Sequence, residues 1–178
     1  IYPIVMGWQW GGGWLAELGF SDFAGSTLVH STGGAAALAG IMLLGARYGR
    51  FDSKGEAKAI KPFAASSIPL VTVGVFILWL GWFGFNGGSQ LAIGTFDDAV
   101  AVSAIFINTN LAACGGVMAA AIITRLMFGK TDVIQMLNGA IGGLVAVTAE
   151  PLAPTPLAAI FIGACLLYTS DAADEWWC

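Results

Sequence analysis

The sequence predicts an all-α, polytopic membrane protein, and three observations predict it. Of 178 residues, 57% are hydrophobic and only 10% charged, against about 25% charged in an ordinary soluble domain. The apolar residues fall in long runs, most of them near the roughly 20 residues a helix needs to cross hydrocarbon. All seven Lys and Arg lie in two short segments between such runs. With a mean hydropathy of +0.80, these features exclude a disordered chain, a nucleic-acid-binding module and an ordinary soluble enzyme. So few bases cannot make a phosphate-binding surface. The surroundings expected are a lipid bilayer, with no nucleic-acid partner.

The elements follow in order. Residues 1–14 read as the end of a helix followed by an aromatic loop. Residues 23–46 are the first clear span, with Asp22 placed to N-cap it. Residues 62–96 are uncharged but too long for one straight span. They are expected to hold a helix over 66–85, entered past Pro62 and Pro69, and then a Gly-rich exit at Gly84, Gly87 and Gly88. Residues 99–124 form the third span, with Asp97 and Asp98 where the helix dipole favours negative charge. Residues 133–149 are a short fourth span, broken from a fifth, starting at Thr155, by Pro151, Pro154 and Pro156. Gly is abundant, at 25 residues, as close helix packing requires. The pairs Gly7/Gly11, Gly84/Gly88 and Gly139/Gly143, and the stripe Gly33, Gly34, Ala37, Gly40, read first as packing surfaces.

Charge sets the orientation. Arg47, Arg50, Lys54, Lys58 and Lys61 lie between the first and second spans, and Arg125 and Lys130 between the third and fourth. The opposite-side segments carry no Lys or Arg. The positive-inside rule makes loops 47–61 and 125–132 cytoplasmic in a multi-pass protein of the cell membrane, with the first span running inward.

The termini carry expectations of their own. The chain begins at Ile1 with no initiator Met and no signal-peptide n-region, so it reads as an internal fragment. Its tail, CLLYTSDAADEWWC, turns abruptly from apolar to acidic. Residues 165–175 back-translate to a DNA sequence that resembles a transposase adapter from sequencing-library preparation, read in frame, the alternative being a genuine acidic terminus. Residues 165–178 are therefore expected not to be native, and the native part to end near Ala164. Without Asp171, Asp174 and Glu175 the formal charge moves from the −4 of the whole chain to near neutrality, so its acidity says nothing about partners.

Few residues can carry chemistry. His30 lies eight residues into its span, about 12 Å below the outer end at 1.5 Å per residue, near the middle of a core about 30 Å thick. An ionisable group there is a functional candidate by default, and the alternative is a neutral imidazole bonded to a neighbouring helix. Trp8, Trp10 and Trp14 suit an aromatic belt, but the three glycines after Trp10 leave its ring face uncovered. Phe85 and Ser89 emerge on the same side. Two ring faces and a hydroxyl can hold a small cation, if they converge. Asp22 is first an N-cap at the membrane edge. Asn86, Asn108, Asn110 and Asn138 suit interhelical hydrogen bonds. Gly129-Lys130-Thr131 is no P-loop, because Thr124 stands where its first Gly belongs. Three Cys, one His and no CxxC or HExxH imply no disulfide framework, no metal site and no cofactor. No nucleophile, base or metal set suggests an enzyme.

Four motifs add up to a resemblance. Asp22-Phe-Ala-Gly-Ser-Thr-Leu-Val-His30, continuing through Gly33–Gly45 to Arg47, resembles the signature of the ammonium transporter family (Amt/Mep, related to Rh). Trp8-Gln-Trp-Gly-Gly-Gly-Trp14, Gly81-Trp-Phe-Gly-Phe-Asn-Gly-Gly-Ser89 and Leu137-Asn-Gly-Ala-Ile-Gly-Gly-Leu-Val-Ala-Val-Thr-Ala149 resemble it too, in the family's order, so that the likeness covers essentially all of residues 1–164. It implies a fragment of the eleven-helix ammonium transporter fold: the end of helix four, helices five to eight and the start of nine, in a homotrimer with one pore per subunit.

The resemblance also implies roles. Trp10 and Ser89 match the outer ammonium-recruitment site, and Phe85 one ring of the gate beneath it. His30 matches the first of two pore histidines and Trp82 a pore-lining Trp. Asp22 matches an Asp that supports the site without touching substrate. The implied route is recruitment of ammonium, deprotonation, and passage of ammonia through an apolar pore that potassium cannot use. A PII-type regulatory protein is the implied partner. An ammonium-sensing membrane domain of a signalling receptor is the alternative, and an Rh-like gas channel a weaker one.

Overall fold

The computed structural model describes residues 1–45 and 66–175, of which 166–175 are described by backbone alone. The expected cytoplasmic loop 47–61 lies outside the described residues, as do residues 176–178 of the expected foreign tail. Among the described residues every regular element is helical: α1 (Tyr2–Gln9), α2 (Trp14–Glu17), a π-helical turn (Ser26–Ser31) running into α3 (Thr32–Leu44), α4 (Ile68–Gly88), α5 (Phe96–Phe128), α6 (Val133–Val147) and α7 (Pro156–Glu175).

Among the described residues three stretches are long and apolar enough to cross a membrane: Ser26–Leu44, Ile68–Gly88 and Phe96–Phe128. α5 is longer than expected. It begins at Phe96 because Thr95 and Asp98 form a reciprocal capping box, each side chain accepting the other's backbone N–H. Its 33 residues extend about 50 Å. α6 is shorter than the expected fourth span. Asp132 caps its start through the N–H groups of Ile134 and Gln135, and its 15 residues extend about 22 Å, less than the hydrocarbon thickness. The expected Gly-rich exit is helix: Gly84, Gly87 and Gly88 all belong to α4. A Cβ on Gly87 would run into the Phe106 ring of α5, so glycine there admits a neighbour rather than ending the helix. α7 starts at Pro156, the last proline of the expected break, where a first-turn proline is tolerated, and runs on past Ala164 to Glu175.

α5 is the hub and packs along α6 and α7, with α4 laid against α5 and α6. Lipid tails are as apolar as leucine, so hydrophobic burial does not drive such contacts; close backbone approach does. A Cβ at Gly116 would strike the Gly139 carbonyl. Cβ atoms at Gly143 and Gly163 would both strike the Ala112 carbonyl, and one at Gly115 the Ile160 carbonyl. Thus Gly139/Gly143 is a packing pair, as expected. The stripe Gly33, Gly34 and Gly40 meets nothing within 4 Å among the described residues, nor does Gly84/Gly88. Asn108 ties the proline-rich link to α5, its amide donating to the Pro151 and Pro154 carbonyls at 3.0 and 2.8 Å. Asn86 also bonds between helices, whereas Asn110 and Asn138 are exposed.

Candidate functional site

The loop before the π turn is organised by one carboxylate. Asp22 is 2% exposed. Its Oδ1 accepts the N–H groups of Gly25 and Ser26 at 2.9 and 3.0 Å, and its Oδ2 those of Thr27 and Leu28 at 2.9 and 2.8 Å. These are the donors a helix start leaves unpaired. Asp22 is therefore a cap, but it reaches over residues 23–25 to a helical stretch that starts at Ser26, three residues later than expected. Gly25 makes the bend at φ +105°, where a Cβ would also meet Val29 at 2.6 Å. With the start moved, His30 sits one turn below the N-terminus rather than two.

The π turn then aims His30. The Gly25 carbonyl accepts the His30 N–H at 3.1 Å, a bond spanning five residues that widens the turn. His30 Nδ1–H donates to the same carbonyl at 3.1 Å. A carbonyl only accepts, so in the neutral ring Nε2 is left as the acceptor.

Across from it, α4 presents Trp82 and Phe85. The His30 ring stacks on Trp82 with centroids 5.0 Å apart and planes 17° from parallel. Phe85 meets His30 edge-on at 5.6 Å and Trp82 at 5.9 Å. These three rings, with Ile77, Leu78 and Gly81, line a cavity of about 230 Å³. A larger cavity of about 470 Å³ lies against a different face of α4, walled by apolar residues such as Phe76, Met118 and Leu137. None of the sequence-predicted site residues lines it.

The outer residues lie around this trio. Trp10 is 41% exposed and its indole N–H donates to the Asp22 carbonyl at 2.8 Å. Its Cη2 lies 3.2 Å from where a Cβ on Gly25 would stand. Trp10 therefore flanks the bend whose carbonyl holds His30. The Ser89 hydroxyl donates to the Phe85 carbonyl at 2.8 Å, which leaves its oxygen able to accept from another donor. No hydrogen bond among the described residues joins Trp10 to Ser89. Of the sequence-predicted set, then, His30, Trp82 and Phe85 come together, Asp22 and Trp10 buttress the loop behind them, and Ser89 stands one turn along α4 from Phe85.

The joint beneath the rings was not read from the sequence. The Trp82 indole N–H donates to the Thr148 hydroxyl at 2.8 Å. That hydroxyl lies 2.6 Å from the Leu144 carbonyl and 3.1 Å from Asn86 Oδ1, and Asn86 Nδ2 donates to Thr109 at 3.0 Å. Trp82, Asn86, Thr109 and Thr148 are all buried. A Thr at the end of an apolar helix has no distinctive spacing, and only its place in the fourth motif hinted at it.

Comparison with known proteins follows the same lines. The Ammonium Transporter Family profile matches residues 1–168. The chain is 43% identical over 99% of its length to ammonium transporter Amt2 of Archaeoglobus fulgidus, and 38% identical over 92% to ammonium transporter 1 member 1 of Arabidopsis thaliana. It spans 38% and 36% of those two proteins. Among solved structures, a Sensor Amt Protein superposes with a TM-score of 0.88 at 36% identity, over 98% of this chain and 43% of that one. Candida albicans Mep2 superposes with a TM-score of 0.80 at 32% identity, over 94% and 35%. From the extent of the profile match, the identities and the superpositions, this polytopic helical membrane chain belongs to the ammonium transporter family.

Proposed function

We propose that the full-length protein carries ammonium or ammonia across the cell membrane, and that the His30–Trp82–Phe85 cluster lies on its path. The observation that carries this is the ring stack itself. One imidazole, its Nδ1–H engaged by Gly25, faces an otherwise apolar cavity. Bare ammonium is costly to bring into hydrocarbon. Ammonia is not charged, and can donate an N–H to a neutral imidazole Nε2. In this reading Trp10 and Ser89 recruit the cation outside, Trp10 by its ring face and Ser89 by its free lone pairs. Phe85 gates the entry, the ammonium gives its proton either to water on the outer side or to a separate relay through the His30 imidazole, and ammonia passes His30 and Trp82. Asp22 holds the loop without touching substrate. Potassium cannot lose a proton and is excluded.

The same reading makes the assembly a homotrimer, puts loops 47–61 and 125–132 in the cytoplasm, and allows a PII-type regulator to bind there. It takes residues 1–164 as part of the membrane domain and 165–178 as foreign to it. The named curated relatives are transporters, which supports a non-enzymatic role.

A second reading, an ammonium-sensing membrane domain, is favoured by the likeness to a Sensor Amt Protein. One experiment separates them. The full-length protein in proteoliposomes is given ammonium pulses, with potassium as control. The transport reading expects a saturable, potassium-resistant flux, with Trp10→Leu needing more ammonium and losing selectivity. Ammonium binding without flux would transfer the assignment to the sensor, and a Trp10→Leu protein indistinguishable from wild type would remove Trp10 from the recruitment site.

A further inference from the structure

The geometry points to Thr148 as the positioning residue of the pore: one side chain and one carbonyl of this threonine hold both halves of the His30–Trp82 stack in register. His30 stands on the loop–π turn segment and Trp82 on α4, two elements with little backbone contact of their own. Thr148 touches both. Its carbonyl accepts the Ala24 N–H at 3.1 Å, beside a second bond from the Phe23 N–H to the Ala149 carbonyl at 2.7 Å. These fix the loop that ends in the bend at Gly25. Its hydroxyl accepts the Trp82 indole N–H at 2.8 Å, which fixes the rotation of the ring on which His30 lies.

The hydroxyl is well suited to this. It has one proton, held by the Leu144 carbonyl at 2.6 Å and within reach of Asn86 Oδ1 at 3.1 Å. With its proton turned to those acceptors, its lone pairs face the indole. Asn86 is itself oriented by donating to Thr109 of α5. The ring therefore cannot turn without leaving a buried N–H unpaired, which costs more than the bond is worth when made. Thr148 does not line the cavity and acts through Trp82 and Ala24.

This inference rests on the transport reading for its functional consequence but not for its geometry, so the test has two arms. In the full-length protein, Thr148→Val keeps the shape and loses the hydroxyl. Ammonium flux in proteoliposomes should fall roughly tenfold, while Thr148→Ser stays within about twofold. In a Trp82→Phe background, which has no indole N–H, Thr148→Val should add no further loss, because the two act through one bond. An equal tenfold loss in that background would overturn the inference, since Thr148 would then act independently of Trp82. The second arm reads the hydrogen-bond-sensitive indole Raman band of Trp82, as wild type minus Trp82→Phe. The band should move to its unbonded position in Thr148→Val and not in Thr148→Ser, and an unmoved band in Thr148→Val contradicts the assignment. If Thr148→Val does not assemble, Thr148→Cys, a weaker acceptor, carries both readouts. A wild-type protein with no flux but the expected Raman shift defeats the transport reading and leaves the positioning role standing.

Discussion

The α5–α6–α7 body and the limb that carries the site are held together by different means. In the body, glycines bring backbones into direct contact at Gly115, Gly116, Gly139, Gly143 and Gly163, and 33% of the apolar stretch of α5 is buried. In the limb the corresponding shares are 6% for the π turn with α3 and 11% for α4. It is instead pinned by a few buried polar bonds: Asp22 to four backbone N–H groups, Trp82 to Thr148, and Asn86 to Thr109. The lesson is physical. Packing gives a rigid frame but little choice of rotation, whereas a directional bond sets where one ring points. The body supplies the frame, and the limb supplies the aim.

The difference can be broken from either side. The largest effect is expected in the body. Gly116→Leu forces a side chain into the Gly139 carbonyl, where backbone on both sides leaves no room to yield. Overpacking costs about 1–3 kcal/mol even where neighbours can shift, so the variant should fail to yield assembled protein on size-exclusion chromatography in detergent. A well-assembled Gly116→Leu protein would mean that the helices are farther apart than described.

Next is Asp22→Asn in the limb. An amide has one acceptor oxygen where the carboxylate has two, so about two of the four N–H groups, of which those of Gly25 and Leu28 are buried, lose their partner. The cost should be about 3 kcal/mol, read as a lower thermal midpoint of the full-length protein, with flux lost along with the aim of His30. Thr95→Ala should be the smallest. It removes the N-cap of α5 at about 1 kcal/mol and should leave flux unchanged, since Thr95 lies in the frame and away from the rings. A flux defect in Thr95→Ala with normal stability would blur the distinction between frame and aim.

How much of this was legible in the sequence follows the same division. Span positions follow from apolar runs and caps, and α5 and α6 begin within a few residues of their expected starts because Thr95, Asp98 and Asp132 have short, local effects. The glycines of α4 read as a helix end by propensity, yet all three lie inside the helix; Gly87 does so where Phe106 needs room, whereas Gly84 and Gly88 meet nothing within 4 Å among the described residues. The π turn was not legible. It arises from one carboxylate bonding to residues three to six positions ahead together with a left-handed Gly25, and no periodicity encodes that. Of the site, His30, Trp82 and Phe85 are legible in the sequence: His30 by its isolation in an apolar run as well as by family resemblance, Trp82 by family resemblance alone. Thr148 was missed because its partners are 62 and 66 positions away, and nothing local marks it.

The central claim is that His30 stands on the conduction path. Ammonium-driven current of the full-length protein on a solid-supported membrane tests it most directly, comparing wild type with His30→Ala at matched protein density and with potassium as competitor. The account predicts that the current is abolished, or persists with its selectivity over potassium lost. An unchanged current with unchanged selectivity in His30→Ala would contradict it.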